Sequence, residues 1–212
     1  MRRRSNPLAA FSIGFLVAAV LVMGIRAASV RPTVIRHTHY HANFLVTIDG
    51  APVDFSAVKY MAPISACSVT MNQTPTDRVH MHESIGDVVH VHADGVTWGD
   101  FFTNIGYSLG ANYVANDSGQ VIQSLATRPV RYILNGVAIP NPSGLIIGDK
   151  DRLLVVVGSE TNAGLLAYFN KVANTAAAVD AAKDPLSCAG SEDTTLRPSA
   201  KDRLKAAEFW RY

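Results

Sequence analysis

The longest apolar stretch of the chain lies near its N-terminus. Arg2, Arg3 and Arg4 precede an uncharged run over residues 8–25. A helix of this length rises about 27 Å, close to the ~30 Å hydrocarbon core of a bilayer. Because basic flanks resist translocation, the three arginines favour a cytoplasmic N-terminus. The run therefore predicts an uncleaved, single-pass membrane anchor, with a cleaved signal peptide as the alternative.

The anchor divides the chain into five predicted parts. These are a cytoplasmic basic tail at 1–7, the transmembrane anchor at 8–25, a linker at 26–36, a β-rich histidine-bearing domain at 37–160 and a helical C-terminal tail at 161–212. An anchor and a cleaved signal would both export the region that follows them. We therefore expect the bulk of the chain on the extracytoplasmic side of the cell membrane.

Alternation of apolar and polar residues predicts three β-hairpins in the exported part. They cover 41–55 with a turn at Asp49-Gly50, 79–93 with a turn around Gly86, and 130–139 with a turn at Asn135-Gly136. Asp-Gly and Asn-Gly pairs suit two-residue hairpin turns because both positions need a positive φ. A continuous apolar run over 153–157 is typical of a central strand.

Helical patterns are shorter and fewer. Thr97 and Asp100 form a start similar to a capping box, followed by apolar residues at helical spacing. Residues 107–126 are predicted to be a loop with one short strand, and helices are predicted near 165–173 and over 199–212. The fold class is therefore α+β, and the element order over 79–158 is similar to the β-grasp, or ubiquitin-like, arrangement.

All seven histidines of the chain lie in one region, in groups that repeat every second residue. The groups are His37, His39 and His41, then His80 and His82, then His90 and His92. Residues i and i+2 of a strand share a face, so each group lies opposite the apolar face of its own strand. An odd-length turn around Gly86 would pair His80 with His90, within reach of a common ion.

Imidazoles in this arrangement indicate a site for a divalent transition metal. Zn(II), Cu(II) and Ni(II) all suit imidazole, and the spacing does not choose among them. The expected ligands are His80, His82, His90 and His92, then His39 and His41, with His37 last. Two interpretations stay open beside metal binding: a solvated or hydrogen-bonded histidine face, and a pH-responsive patch.

Motifs for a specific reaction do not occur in the sequence. HExxH, GxSxG, the P-loop and the Rossmann glycine pattern are all missing. Three protein ligands with one open position would still suffice for a metal-dependent hydrolase or oxidase. The sequence identifies no catalytic residue, so we favour a non-enzymatic protein.

The charge balance limits the expected partners. Charged residues make up 17% of the chain and the net charge is +2, with three arginines in the N-terminal tail. No basic stripe remains to neutralise phosphates, which excludes a typical nucleic-acid-binding protein. Aromatic and basic residues at the end of the predicted helix over 199–212 suit either docking on the domain or contact with the membrane interface.

Two cysteines, Cys67 and Cys188, are the only ones in the chain. In an oxidising compartment two cysteines pair more often than they stay free. We therefore predict a disulfide between them, with two free thiols as the alternative.

Three sequence segments carry a resemblance to a known family. They are HTHYHANFLVTIDG, VHMHESIGDVVHVHADGVTWGDFF and RYILNG…GDKDRLLVVVG, which together cover roughly 37–158. These segments resemble a family of uncharacterised, membrane-anchored, histidine-rich bacterial proteins with a β-grasp-like exported region. The resemblance implies an exported location and shared histidines, and it implies no activity.

The function expected from the sequence is extracytoplasmic, membrane-anchored binding of Zn or Cu, for acquisition, buffering or delivery of the metal. A non-enzymatic protein interaction module with a solvated histidine face is the alternative. A metal-dependent hydrolase or oxidase is the second alternative. Positions of the histidine side chains in the folded protein distinguish among these three.

Overall fold

A computed structural model of the protein describes residues 38–62 and 74–181. The predicted anchor over 8–25, His37, both cysteines with their predicted disulfide, and the predicted helix over 199–212 lie outside these residues. Within the described ranges, no helix combines the length and the apolar character needed to cross a bilayer.

Short strands dominate the part of the chain that the structure describes. The strands are β1 (Tyr40–Ile48), β2 (Ala51–Pro52), β3 (Val79–His80), β4 (Val88–Val91), β5 (Ser108–Gly110), β6 (Tyr113–Ala115), β7 (Val121–Gln123), β8 (Val130–Leu134), β9 (Val137–Ile139) and β10 (Arg152–Val157). The helices are α1 (Pro75–Arg78), α2 (Trp98–Asn104), α3 (Asn162–Lys171) and α4 (Ala176–Ala181), with a 3₁₀ turn at Val58–Tyr60. The predicted α+β class is confirmed.

Seven of the described strands form one mixed sheet. Its order is β3-β4-β1-β10-β8-β9, with β2 paired to β1. Strands β1 and β10 run parallel at its centre, and the other pairs are antiparallel. All five residues of the apolar run 153–157 are buried, as expected for a central strand.

The hairpin turns adopt the backbone conformation that their sequences predict. Asp49 and Gly50 have φ of 50° and 82°, and Asn135 and Gly136 have φ of 52° and 82°. Two successive positive φ values match the twist of the flanking strands, so β1 pairs with β2 and β8 with β9. The hairpin around Gly86 also forms, between β3 and β4.

One face of the sheet packs against α2 through an aromatic core. Thr97 and Asp100 form the predicted capping box, which fixes the start of this helix. Phe101 and Phe102 are fully buried, and the ring centroids of Phe44 and Phe101 lie 5.0 Å apart. This face is the main hydrophobic core.

The opposite face of the sheet is covered by the last two described helices. Leu165 and Phe169 of α3 pack against Leu154 and Val156 of β10, and α4 lies against β1. The histidines of β1 and β4 occupy alternate positions to the aromatic core, so they lie on this second face. One face of the sheet therefore carries the main hydrophobic core, and the other face carries the histidines.

Residues 107–126 differ from the sequence prediction. They form a separate three-stranded sheet, β5-β6-β7, instead of a loop with one short strand. Each strand has only three residues, too few for alternation to stand out in the sequence. Packing of Leu109, Val114 and Ile122 into the core stabilises strands that their own pattern does not predict.

Candidate metal centre

Three neighbouring strands place one histidine each at the same level of the sheet. His41 of β1 is paired with His90 of β4, and His80 of β3 is paired with the same His90. Directly opposed residues in antiparallel strands have Cβ atoms ~4.5–5.5 Å apart, so the three side chains form a row. The predicted meeting of His80 and His90 across the hairpin is confirmed.

The remaining described histidines extend this row into one continuous cluster. The ring of His92 stacks between those of His39 and His80, at centroid distances of 4.7 Å and 4.9 Å. The ring of His82 lies 3.8 Å from that of His90. We use the term histidine cluster for His39, His41, His80, His82, His90 and His92.

Burial distinguishes the histidine cluster from a solvated face. The residues His41, His80, His82, His90 and His92 are only 2–6% exposed, and His39 is half-buried. Burial contradicts the solvated half of the alternative interpretation, whereas hydrogen-bonded histidines stay consistent with the contacts of these rings. Buried polar atoms normally have a hydrogen-bond partner, so the contacts of each ring nitrogen indicate what that nitrogen can bind.

A subset of the histidine cluster brings three ring nitrogens close together. His39, His41 and His90 each offer one nitrogen, and these nitrogens all lie within 4.8 Å of one another. Nε2 of His41 is 2.8 Å from Nδ1 of His90. Two nitrogens bound to one tetrahedral ion lie about 3.3 Å apart, so a small separation of the rings would admit the ion. These residues could hold a metal ion.

His80 and His82 approach His90 from the β3 side of β4, opposite to His41 of β1. Nε2 of His82 lies 3.1 Å from Nδ1 of His90, the same atom that His41 contacts. Nδ1 of His80 lies 2.6 Å from the carbonyl oxygen of Thr76. Because a carbonyl only accepts, Nδ1 of His80 carries the proton and its Nε2 keeps the lone pair. Both residues therefore lie close enough to His90 to contribute to the candidate site.

Two carboxylates accompany the histidine cluster. Asp180 of α4 accepts a hydrogen bond from Nδ1 of His41 at 2.5 Å. Glu83 lies 3.8 Å from Nδ1 of His82. Burial by itself would raise the pKa of Asp180, but the hydrogen bonds from His41 and Lys150 and the positive charge of Lys150 outweigh it and lower the pKa. The carboxylate of Asp180 is thus negatively charged and lies next to the histidine cluster.

No pattern in the sequence indicates a role for Asp180. It lies in an alanine-rich stretch, AAAVDAA, whose pattern shows no apolar face and predicts no helix contact. The approach of α4 to β1 depends on tertiary packing between segments that are 139 residues apart. Glu83, in contrast, directly follows His82 in the sequence.

Electrostatics favour uncharged imidazoles in the middle of the cluster. Burial, followed by the nearby rings of His41 and His82, lowers the pKa of His90 far below its ordinary value. Burial and the ring of His80 lower the pKa of His92 from 6.5 to about 2. Metals bind the neutral form of imidazole, so protons compete weakly for these two residues in the folded protein.

Two ring nitrogens of the histidine cluster are among the buried side-chain atoms that lack a hydrogen-bond partner in the described part of the chain. They are Nε2 of His90 and Nε2 of His92. Leaving a buried acceptor or donor unsatisfied costs about 1–3 kcal/mol, so such atoms usually mark an ion, a water or a functional demand. Their location inside the histidine cluster agrees with metal binding.

The interpretation of this site depends on the geometry of the chain itself. No protein-family model, no curated protein and no solved structure matches it. Six of the seven predicted ligands meet in one cluster, and the seventh, His37, lies outside the described residues.

Proposed function

We propose that this protein binds a divalent transition metal, Zn(II) or Cu(II), at the histidine cluster. The observation that carries the proposal is the convergence of nitrogens from His39, His41 and His90 within 4.8 Å of one another. His39 and His41 lie at the start of β1 and His90 lies in β4, far away in sequence, so local sequence does not force them together. Neutral, buried imidazoles are the ligands that Zn(II) and Cu(II) prefer among nitrogen donors.

The donor set favours these metals over Mg(II) or Ca(II). Hard cations take oxygen ligands, often several carboxylates. The carboxylates here lie behind the histidines: Asp180 contacts Nδ1 of His41, and Glu83 lies near Nδ1 of His82. That order, metal to imidazole to carboxylate, is common around zinc.

We place this site outside the cytoplasm, on a protein held by a membrane anchor over 8–25 with its N-terminus in the cytoplasm. The support is the apolar run with its arginine flank and the expected linker over 26–36. An exported, tethered metal site suits acquisition, buffering or delivery of the metal near the membrane. In that compartment the predicted disulfide between Cys67 and Cys188 would form.

We further propose that the described domain has a β-grasp-like arrangement. We also propose that the chain belongs with the membrane-anchored, histidine-rich proteins that its sequence segments resemble. The parallel pairing of β1 with β10, flanked by antiparallel β4 and β8, supports the arrangement. The likeness rests on the histidine-bearing sequence segments themselves.

Titration of the purified full chain in detergent with Zn(II) and with Cu(II) tests the proposal. We expect saturable binding by isothermal calorimetry that the double variant His41→Gln/His90→Gln abolishes. His37→Gln is the comparison variant, since it removes a histidine that the sequence ranks last. Binding no tighter than that of a generic histidine surface, or equal binding by the double variant, would contradict the proposal.

A further inference from the structure

The short helix α4 contributes the carboxylate that touches the candidate metal ligands most closely. Its Asp180 accepts a hydrogen bond from Nδ1 of His41 at 2.5 Å. The other ring nitrogen of His41, Nε2, faces Nδ1 of His90 at 2.8 Å. The imidazole of His41 is therefore held at both ends, with its outer nitrogen on the carboxylate and its inner nitrogen in the cluster.

A second buried side chain fixes the position of this helix. Asn43, fully buried on β1, accepts hydrogen bonds from the N–H groups of Thr175 and Ala176, at 3.0 Å each. Its amide group donates to the hydroxyl of Thr175 at 2.9 Å and to the carbonyl oxygen of Asp87 at 3.0 Å. Three of these four side-chain hydrogen bonds of Asn43 thus tie the start of α4 to the sheet.

The spacing of strand and helix then brings Asp180 to His41. Asn43 and His41 are two residues apart on one face of β1, a separation of about 6.6 Å along a strand. Ala176 and Asp180 are four residues apart on α4, a rise of about 6 Å along a helix. The two distances match, so a helix anchored at Asn43 places its next turn over His41.

Lys150 holds the second oxygen of the same carboxylate. Its Nζ lies 3.3 Å from Oδ2 of Asp180, and its backbone N–H donates to the carbonyl oxygen of His41 at 2.7 Å. One residue thus touches both partners of the hydrogen bond. This arrangement limits rotation of the carboxylate away from the imidazole.

We propose that Asp180 is a positioning residue of the metal centre. By accepting the Nδ1 proton of His41, it fixes the tautomer in which Nε2 presents a lone pair to the ion, and its negative charge offsets part of the charge of a dication. The inference rests on the proposed function, because it assigns Asp180 a role in that same site. Outer partners of this kind typically change metal affinity by 10–100-fold.

The test compares Asp180→Ala with Glu160→Ala in the full chain in detergent. Glu160 is a matched control, since its side chain is also 14% exposed and also forms an ion pair, with Arg131. Zn(II) affinity is measured by competition with a chelating dye. We expect Asp180→Ala to weaken binding 10–100-fold, Asp180→Asn to weaken it less because an acceptor oxygen remains, and Glu160→Ala to leave it unchanged.

A spectroscopic readout separates positioning from a general loss of structure. In the metal-free protein, ¹⁵N NMR of the imidazoles should show His41 protonated at Nδ1 in the wild type and a mixed tautomer in Asp180→Ala. Unchanged affinity and an unchanged tautomer in Asp180→Ala would overturn the inference while wild-type binding still stands. Absence of Zn(II) binding by the wild type would instead overturn the proposed function.

Discussion

Nε2 of His41 and Nδ1 of His90 lie 2.8 Å apart, joining two strands whose histidines are 49 residues apart in the chain. Nδ1 of His90 is also 3.1 Å from Nε2 of His82. Two neighbouring nitrogens thus compete for a single position on His90, where only one proton is available. A bound metal ion would resolve this competition for at least one pair, because it would accept lone pairs from both rings.

His90 is therefore the residue whose loss should harm metal binding most. Its ring contacts or stacks with those of His39, His41, His80 and His82. We expect His90→Gln to weaken Zn(II) binding by more than the ~10–100-fold typical of an outer partner. Calorimetric titration of the full chain measures the change. Gln120→Ala serves as the control. Gln120 is exposed and lies outside the histidine cluster, so this variant should bind Zn(II) like the wild type.

Metal binding should also stabilise the folded domain. A ligand that binds only the native state at 100 times its Kd adds about 2.7 kcal/mol to the free energy of unfolding. For a domain of this size that corresponds to a rise in Tm of roughly 5–11 °C. Differential scanning fluorimetry with Zn(II), followed by excess EDTA, checks the rise and its reversal. An equal shift in the double variant His41→Gln/His90→Gln would show that the ion acts elsewhere.

Part of this site was predictable from the sequence and part was not. Alternation along the hairpin around Gly86 fixes the faces of His80 and His90, because side chains alternate with a period of two. The pairing of β1 with β4 is different, since nothing local to His41 specifies which strand it will meet. An interpretation of the sequence alone therefore places His39 and His41 behind the hairpin histidines.

The burial of the histidines also could not be predicted from the alternation of apolar and polar residues. The pattern shows which face lies opposite the aromatic core, but it does not show that α4 covers that face. Asn43, with its set of hydrogen bonds to Thr175 and Ala176, brings the helix there through contacts between residues more than 130 positions apart. The hairpins and the capped helix, in contrast, depend on neighbouring residues, and these predictions are confirmed.

Gly86 should be essential to the hairpin that carries four of the histidines. A Cβ atom at this position would lie 2.6 Å from backbone atoms of Phe55 and Ser56, which cannot move independently. We expect Gly86→Ala to lower the free energy of unfolding by about 1–3 kcal/mol, the usual cost of overpacking. Urea denaturation measures it. Gly144→Ala is the matched control, because a Cβ there meets no atom within 4 Å, and an equal loss in both variants would contradict the steric argument.

Stability of the metal-free domain should fall as the pH drops below about 6.5, the ordinary histidine pKa. His90 and His92 have a lowered pKa in the folded protein, so the unfolded chain binds more protons than the native one in that range. Their contribution is fully present above pH 6.5 and is lost towards low pH, by up to about 1.4 kcal/mol per pH unit for each residue. Urea unfolding in EDTA at pH 7.5, 6 and 5 measures the slope. The double variant His90→Gln/His92→Gln should show a shallower dependence, and an equally steep slope in that variant would assign the acid sensitivity to other groups.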